Sequence, residues 1–384
     1  MRPTDMPRVL RRLSALLALG LVLTALGGCS TLGYYWQSAT GHLALMHAAR
    51  PVDDWLQDPA TPDPLKARLA LAQQMRRFAA TELHLPDNPS YQRYADLQRP
   101  AAVWNVVAAP ELSLQLRQWC FPVAGCVGYK GYFDRAAADA EAVQLRAQGL
   151  EVSVQPVPAY STLGWSNWAG GDPLLNTFIH YPEGALARLI FHELAHQRVY
   201  VAGDMRFNES FATAVEQLGG ARWLAAHGNP ATHAADALAQ TRRQQFRALT
   251  LELQQTLRRV YEESGEDAQG LYEKPDRRHE ASAPAITPEQ TEARRILKAS
   301  ALKDFARRYA ELKAGWGGYA GYDRWADNVN NATLGTLSAY DALVPGFEAL
   351  FEKSGSDWPR FYAAVQRLAL LPKSERDEAL RRHR

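Results

Sequence analysis

The stretch that decides this fold has nine residues, Leu189-Ile190-Phe191-His192-Glu193-Leu194-Ala195-His196-Gln197. Histidines four residues apart lie on one face of an α-helix, one turn apart. Two neutral imidazoles held in this way can bind one Zn²⁺, and the glutamate beside them can act as general base on a metal-bound water. The sequence therefore predicts a buried helix with His192 and His196 as zinc ligands and Glu193 as the base.

Because this short pattern also occurs by chance, residues further along the chain decide its meaning. A second predicted helix, starting at Asp204 or Asn208, would direct Glu209 inward from its first turn. The loop before it contains a glycine and can reverse the chain, so both helices can meet at one metal. Two histidines and Glu209 leave a fourth position open for water. Thr213 and Glu216 are candidates for orienting a ligand imidazole, although Glu216 is equally compatible with a solvated helix face.

The N-terminus has the features of a bacterial export signal. Basic residues precede an apolar run at 13–26, which is too short to span a bilayer comfortably. The run ends in Leu26-Gly27-Gly28-Cys29-Ser30, which resembles a lipobox. We predict a signal peptide over 1–28 and lipid on Cys29, and Ser30 favours the outer membrane, facing the periplasm. An uncleaved signal anchor is the alternative.

The other two cysteines, Cys120 and Cys126, bracket a Phe-Pro-Val-Ala-Gly turn. In an oxidising compartment this turn can bring the sulfurs together, so we predict a disulfide, with free buried thiols as the alternative.

Together, His192-Glu193-x-x-His196 and Asn208-Glu209-x-Phe211-Ala212-x-x-x-Glu216 resemble the gluzincin metallopeptidases, and among them the zinc aminopeptidases. With the lipobox and the cysteine segment, the chain is similar to a bacterial lipoprotein family described as predicted aminopeptidases. The resemblance implies an α+β, mostly helical fold with a zinc peptidase core, a small N-terminal αβ unit carrying an edge strand and a C-terminal helical part. It also implies one Zn²⁺ and a peptide or unfolded-protein substrate.

Three departures weaken the aminopeptidase part of this resemblance. The gap between the two zinc helices is shorter, and Thr213 stands where thermolysin-like enzymes have an aspartate that orients a ligand histidine. The Gly-x-Met-Glu-Asn motif that binds a substrate's free amine is missing from the sequence. A metallopeptidase is therefore better supported than an aminopeptidase.

In related peptidases an edge strand beside the metal pairs with the extended substrate. Residues 160–180, a Gly- and Trp-rich loop and a predicted strand at 174–179, stand in the corresponding place, although a packing loop would have the same composition. A second Gly-aromatic loop at 315–325 either lines the same cleft or forms a compact turn. We name Asn176, His180 and Asn330 as candidate substrate-binding residues.

Related enzymes stabilise the tetrahedral oxyanion with a tyrosine or histidine. The candidates are Tyr340, then His180 and Tyr200. A packing role is the alternative for Tyr340.

Periodicity and caps predict the remaining elements. Helices are expected at 41–57, 65–82, 134–148, 230–264, 288–312, 338–352 and 356–370, strands at 101–116 with a turn at Ala109-Pro110 and at 150–157, a surface loop at 265–287, and a disordered or surface tail. The segments are an N-terminal helical part (29–100), an αβ and zinc-site catalytic core (101–225) and a helical part with a long hairpin (226–384), integrated into one domain over 29–384.

Composition is that of a globular protein, with 22% charged residues. Residues 1–28 carry four arginines and one aspartate, so the chain without this predicted signal peptide has a net charge of −1 instead of +2, and we expect no nucleic-acid partner. The sequence predicts a lipid-anchored zinc metallopeptidase, an aminopeptidase in the first instance. Alternatives are an envelope quality-control endopeptidase and an inactive lipoprotein scaffold.

Overall fold

The structure is a computed structural model that describes residues 33–121, 125–262, 287–341 and 343–382, with backbone alone at 338–341. Four features of the prediction lie outside this description. They are the signal peptide, the predicted lipidation site Cys29, nearly all of the loop 265–287 and the side chain of Tyr340.

Thirteen helices carry most of the described chain. They are α1 (33–48), α2 (Val52–Gln57), α3 (Asp63–Thr81), α4 (Arg135–Ala147), α5 (Glu183–Arg198), α6 (Met205–His227), α7 (Pro230–Glu262), α8 (Pro288–Gly315), α9 (Asp323–Asp327), α10 (Asn331–Asp341), α11 (Val344–Lys353), α12 (Trp358–Ala369) and α13 (Lys373–Arg382).

Eight short strands form three small sheets. They are β1 (Arg50–Pro51), β2 (Arg93–Ala95), β3 (Val103–Pro110), β4 (Trp119–Phe121), β5 (Gly125–Val127), β6 (Lys130–Tyr132), β7 (Leu150–Val157) and β8 (Leu174–Leu175). The sheets have the orders β1-β2-β8, β6-β3-β7 and β4-β5. The α+β, mostly helical class predicted from the sequence is confirmed.

The helices α5 and α6 pack side by side in the largest hydrophobic core. This core reaches from Leu45 to Leu380 and includes Phe191 and Phe211, one from each of the two helices, both fully buried. α5 carries Glu183 in its first turn and Arg198 in its last, which matches the helix dipole at both ends. The apolar sides of both helices are therefore fixed by packing in this core.

The C-terminal half is built on the long helical pair α7 and α8. α8 begins with a capping box in which the Thr287 hydroxyl accepts from the Gln290 N–H and the Gln290 side chain accepts from the Thr287 N–H. A second core between the pair contains Phe246, Leu253 and Phe305. The predicted hairpin is confirmed over its described residues.

Several predicted elements are wrong. The helix expected at 41–57 is interrupted by β1, because Pro51 cannot donate the backbone hydrogen bond that a continuous helix requires. Residues 112–116 are not a strand, and β3 pairs instead with β6 and β7. The predicted strand at 174–179 shrinks to β8, which ends the sheet beside β2. Both of its residues are fully buried, so a substrate cannot reach this edge.

The C-terminal tail is also ordered, contrary to prediction. α13 buries Leu380 completely, and Arg376 and Asp377 are nearly as inaccessible. In the described part of the chain, no helix is both long and apolar enough to cross a membrane.

Candidate metal centre

α5 and α6 bring three potential metal ligands together. The Nε2 atoms of His192 and His196 lie 3.2 Å apart. The Oε2 of Glu209 is 3.3 Å from the first nitrogen and 3.7 Å from the second. Ligands bonded at about 2.0–2.1 Å to a tetrahedral zinc lie about 3.3–3.4 Å apart, so the donor types and their spacing fit Zn²⁺.

Glu216 lies behind this triad, two turns along α6 from Glu209. Its Oε2 is 2.8 Å from Nδ1 of His192, which donates to it. Its other oxygen is 3.7 Å from Arg243 on α7. A carboxylate on the far nitrogen of a ligand imidazole directs the remaining nitrogen at the metal. Within the described residues, the Thr213 hydroxyl makes no hydrogen bond to either imidazole.

Burial and the charges of neighbouring side chains shift the pKa values of three residues in this cluster. Burial raises the pKa of Glu209, but the two imidazoles outweigh it and hold that pKa well below its usual range. Burial lowers the pKa of His192, but Glu209 and Glu216 outweigh it and raise the pKa well above its ordinary value. The pKa of Glu193 is raised, mainly by burial and against the pull of the two histidines. A base with a raised pKa is suited to proton transfer near neutral pH.

The N-terminus of α6 is held by a buried ion pair with the C-terminal helix. Asp204 caps α6 by accepting from the Phe207 N–H, and its other oxygen is 2.7 Å from Arg376 on α13. Both side chains of the pair are about 5% exposed. The amide of Asn208 bonds the backbone of Val201 in both directions. These contacts fix the first turn of α6, and so they fix the position of Glu209 relative to α5.

The Gly- and Trp-rich loop at 160–173 is anchored to α5. Buried Asp172 accepts hydrogen bonds from Thr162, Ser166 and, at 3.4 Å, Gln197. Gln197 follows the candidate ligand His196 directly, so the hydrogen bonds of the loop fix the residue next to the candidate metal centre.

The triad opens into a cleft of about 680 Å³, within the size range of ligand-binding sites. Glu193 lines the cleft with the three potential ligands. The cleft is also lined by residues of α1, of the strands β3, β4, β5 and β6, and of the segment 157–163. The cleft thus contains a cluster of side chains of the types that bind metals.

A family model described as "Putative aminopeptidase" matches residues 33–380. The chain belongs to this family. No curated protein and no solved structure matches it. Family membership supports a peptidase function, and the match includes every residue of the candidate metal centre.

Three predicted substrate-binding residues do not line the cleft of this family member. The side chain of Asn176 bonds the backbone of Leu97 and Arg99, so it fixes the turn after β2. His180 is exposed outside the cleft. Asn330 accepts hydrogen bonds from both the N–H and the hydroxyl of Thr333 and caps α10. The structure gives both amides roles within the fold and places none of the three residues in the cleft.

The loop at 315–325 does not line the cleft either. Tyr322 stacks on Phe246 of α7, with ring centres 4.2 Å apart, and Trp316 packs against Tyr322. Of the two alternatives for this loop, the structure therefore favours the compact turn.

The cleft contains two tyrosines that could stabilise an oxyanion, and the sequence singled out only one of them. Tyr129, after the cysteine turn, lines the same cleft as the triad, and Tyr200 stands beside His196. The pKa of Tyr129 is raised by burial first and then by Glu209, Tyr200 and Glu193. Tyr200 was named from the sequence, whereas no local pattern distinguishes Tyr129 from the other tyrosines.

The cleft wall also includes the disulfide hairpin. Cys120 and Cys126 are disulfide-bonded across β4 and β5. Phe121 and Val127, the residues that follow each cysteine, line the cleft.

Proposed function

We propose that the chain is a lipid-anchored zinc metallopeptidase that hydrolyses peptide bonds. The observation that carries this proposal is the convergence of His192, His196 and Glu209 in one cleft with Glu193. Glu193 stands outside the ligand set and would have no role in a purely structural zinc site. An inactive scaffold would have no use for it.

The two imidazoles and Glu209 would hold one Zn²⁺, with Glu216 orienting His192. A zinc ion there supplies a Lewis acid that acidifies water and polarises a peptide carbonyl. Glu193 accepts the proton of the attacking water and passes it to the leaving amine. Tyr129, which lines the same cleft, donates a hydrogen bond to the developing oxyanion.

Residues 159–161 would hold the substrate backbone in place of the strand expected at 174–179. They line the cleft outside any helix or strand. Among the described residues, their backbone N–H and C=O groups make no hydrogen bonds. An extended peptide can pair with such groups as an added strand. This arrangement suits a polypeptide substrate better than a small ester or amide.

The family description favours an aminopeptidase, but one observation favours an endopeptidase as second candidate. The carboxylates that line the described cleft are Glu193, Glu209 and Glu216. Each is assigned to the base, the ligand set or the orienting contact, so none remains to bind a free α-ammonium group.

The decisive experiment compares zinc content and peptide cleavage in the full chain and in Glu193→Gln. We expect about one zinc per chain in both, and a loss of cleavage of about 10²–10⁴-fold in the variant. Chelation should abolish wild-type cleavage and added zinc should restore it. Absence of zinc, or equal cleavage by the variant, contradicts the proposal.

Blocking the N-terminus of the peptide substrate distinguishes an aminopeptidase from an endopeptidase. An aminopeptidase loses activity on N-acetylated peptides, whereas an endopeptidase cleaves them at the same internal bond.

A further inference from the structure

The outward face of α1 is unusual for a helix exposed to water. Residues 33–49 contain no Asp, Glu, Lys or Arg. Trp36 and Leu43, seven residues apart and so on one side of the helix, are 71% and 65% exposed, and Tyr35 beside them is 44% exposed. Surface helices of soluble domains ordinarily place charged residues on this side.

Polar groups on this face are few and partly satisfied within the helix. The Thr40 hydroxyl donates to the Trp36 carbonyl at 2.8 Å. The remaining outward positions in this stretch are Gly33, Ala39, Ala44, His47 and Ala48. An apolar environment can cover such a face with little loss of hydrogen bonding.

The opposite face of α1 belongs to the cleft. Tyr34 and Ser38 line it, and the His42 ring lies tilted against Tyr160 on the proposed substrate-binding segment, with ring centres 5.7 Å apart. α1 therefore lies between the cleft and the surroundings that Trp36 and Leu43 face.

We propose that the outward face of α1, defined by Tyr35, Trp36 and Leu43, lies in the interfacial region of a lipid bilayer. This inference rests on the lipid anchor of the proposed function. The described helix starts four residues after Cys29, and four residues span at most about 14 Å. A lipid on Cys29 therefore keeps this end of α1 within reach of the membrane surface.

The side-chain chemistry favours a bilayer over a protein partner. The two aromatic side chains with polar tips stand at the end of the helix nearest the anchor, and Leu43 stands beyond them. Tyr and Trp concentrate at membrane–water interfaces because their rings are apolar and their O–H or N–H groups remain hydrated.

This placement identifies the substrate class more closely. A helix is about 10 Å across, so the cleft would lie one helix away from the lipid surface. The polypeptides it receives are then segments at the membrane surface, such as the juxtamembrane parts of membrane-attached proteins.

The test uses the full, lipid-processed chain in vesicles of phosphatidylethanolamine and phosphatidylglycerol. A single cysteine replaces Leu43 and is labelled with a polarity-sensitive fluorophore. Ile296→Cys is the matched control, because Ile296 on α8 is 61% exposed. We expect the label at position 43 to shift to the blue and to be quenched at least twofold more by brominated lipids than the label at position 296.

Each outcome decides the proposal. Equal quenching at both positions, or none at position 43 in vesicles that carry the protein, overturns the membrane placement of α1. Failure of the protein to float with vesicles overturns the anchor and this inference together. Peptide cleavage by the same samples is measured separately, so the peptidase proposal stands or falls on its own result.

Discussion

The Nδ1 of His192 lies 2.8 Å from the Oε2 of Glu216, 24 residues further along the chain. Helix α6 thus carries both Glu209, which faces the Nε2 of His192, and Glu216, which bonds its Nδ1. The orientation of the first ligand depends on the rotation of α6 against α5.

Replacing Glu216 by alanine should weaken zinc binding by about 10–100-fold, because His192 loses the carboxylate that directs its Nε2. Competition with a chromophoric chelator measures the dissociation constant. Glu82→Ala, an exposed glutamate paired with Arg222, is the control and should leave zinc affinity unchanged. Equal affinity in both variants would show that Glu216 does not orient the ligand.

Replacing Arg376 by methionine should lower both stability and zinc affinity. Asp204 would keep a buried charge without its closest partner, which typically costs about 3–5 kcal/mol. Because Asp204 caps the helix that carries Glu209, the metal site should loosen as well. Thermal unfolding with and without zinc measures both effects.

Arg382→Met is the control for that change. Arg382 lies on the same helix, is 74% exposed and pairs only with Glu378 among the described residues. We expect a change within about 0.5 kcal/mol. A drop as large as that of Arg376→Met would point to loss of α13 itself rather than of the Asp204 contact.

Asp172→Asn should destabilise the loop at 160–173 by about 1–3 kcal/mol. The carboxylate accepts from Thr162, Ser166 and Gln197, whereas an amide offers one oxygen and turns two N–H groups toward donors. Denaturant unfolding measures the loss. Asp139→Asn, on the exposed face of α4, should have little effect, and the idea fails if the two variants are equally stable.

Tyr129→Phe should reduce kcat by about 10²–10³-fold with little change in KM, because only the transition state carries the oxyanion. Tyr200→Phe is the matched comparison, since both tyrosines line the cleft. A loss of kcat confined to the Tyr200 variant would transfer the role to Tyr200. A rise in KM alone would assign Tyr129 to substrate binding.

Helices were the most predictable part of the fold. Asp134 caps α4 by accepting from the Ala136 N–H, as its place before an apolar-periodic segment predicts. α7 follows from a stripe of Phe and Leu at helical spacing. These signals are local, because each hydrogen bond of a helix joins residues four apart.

Strand pairing was less predictable. The alternation at Leu112, Leu114 and Leu116 has the period of a strand, yet these residues form none, because the partners beside β3 are distant segments of the chain. The same limit applies to the cleft, where residues 159–161 and Tyr129 meet the zinc helices only through the packing of separate elements.

The sequence by itself determined the i, i+4 pair His192 and His196 and the base between them, because the helical period alone brings two imidazoles to one face. Only the tertiary structure decided that Glu216 rather than Thr213 contacts His192, and that Asn176 and Asn330 serve the backbone. Those outcomes depend on how α6 is rotated against α5 and on which backbone groups each loop leaves unpaired. Both are set by contacts between segments far apart in the chain.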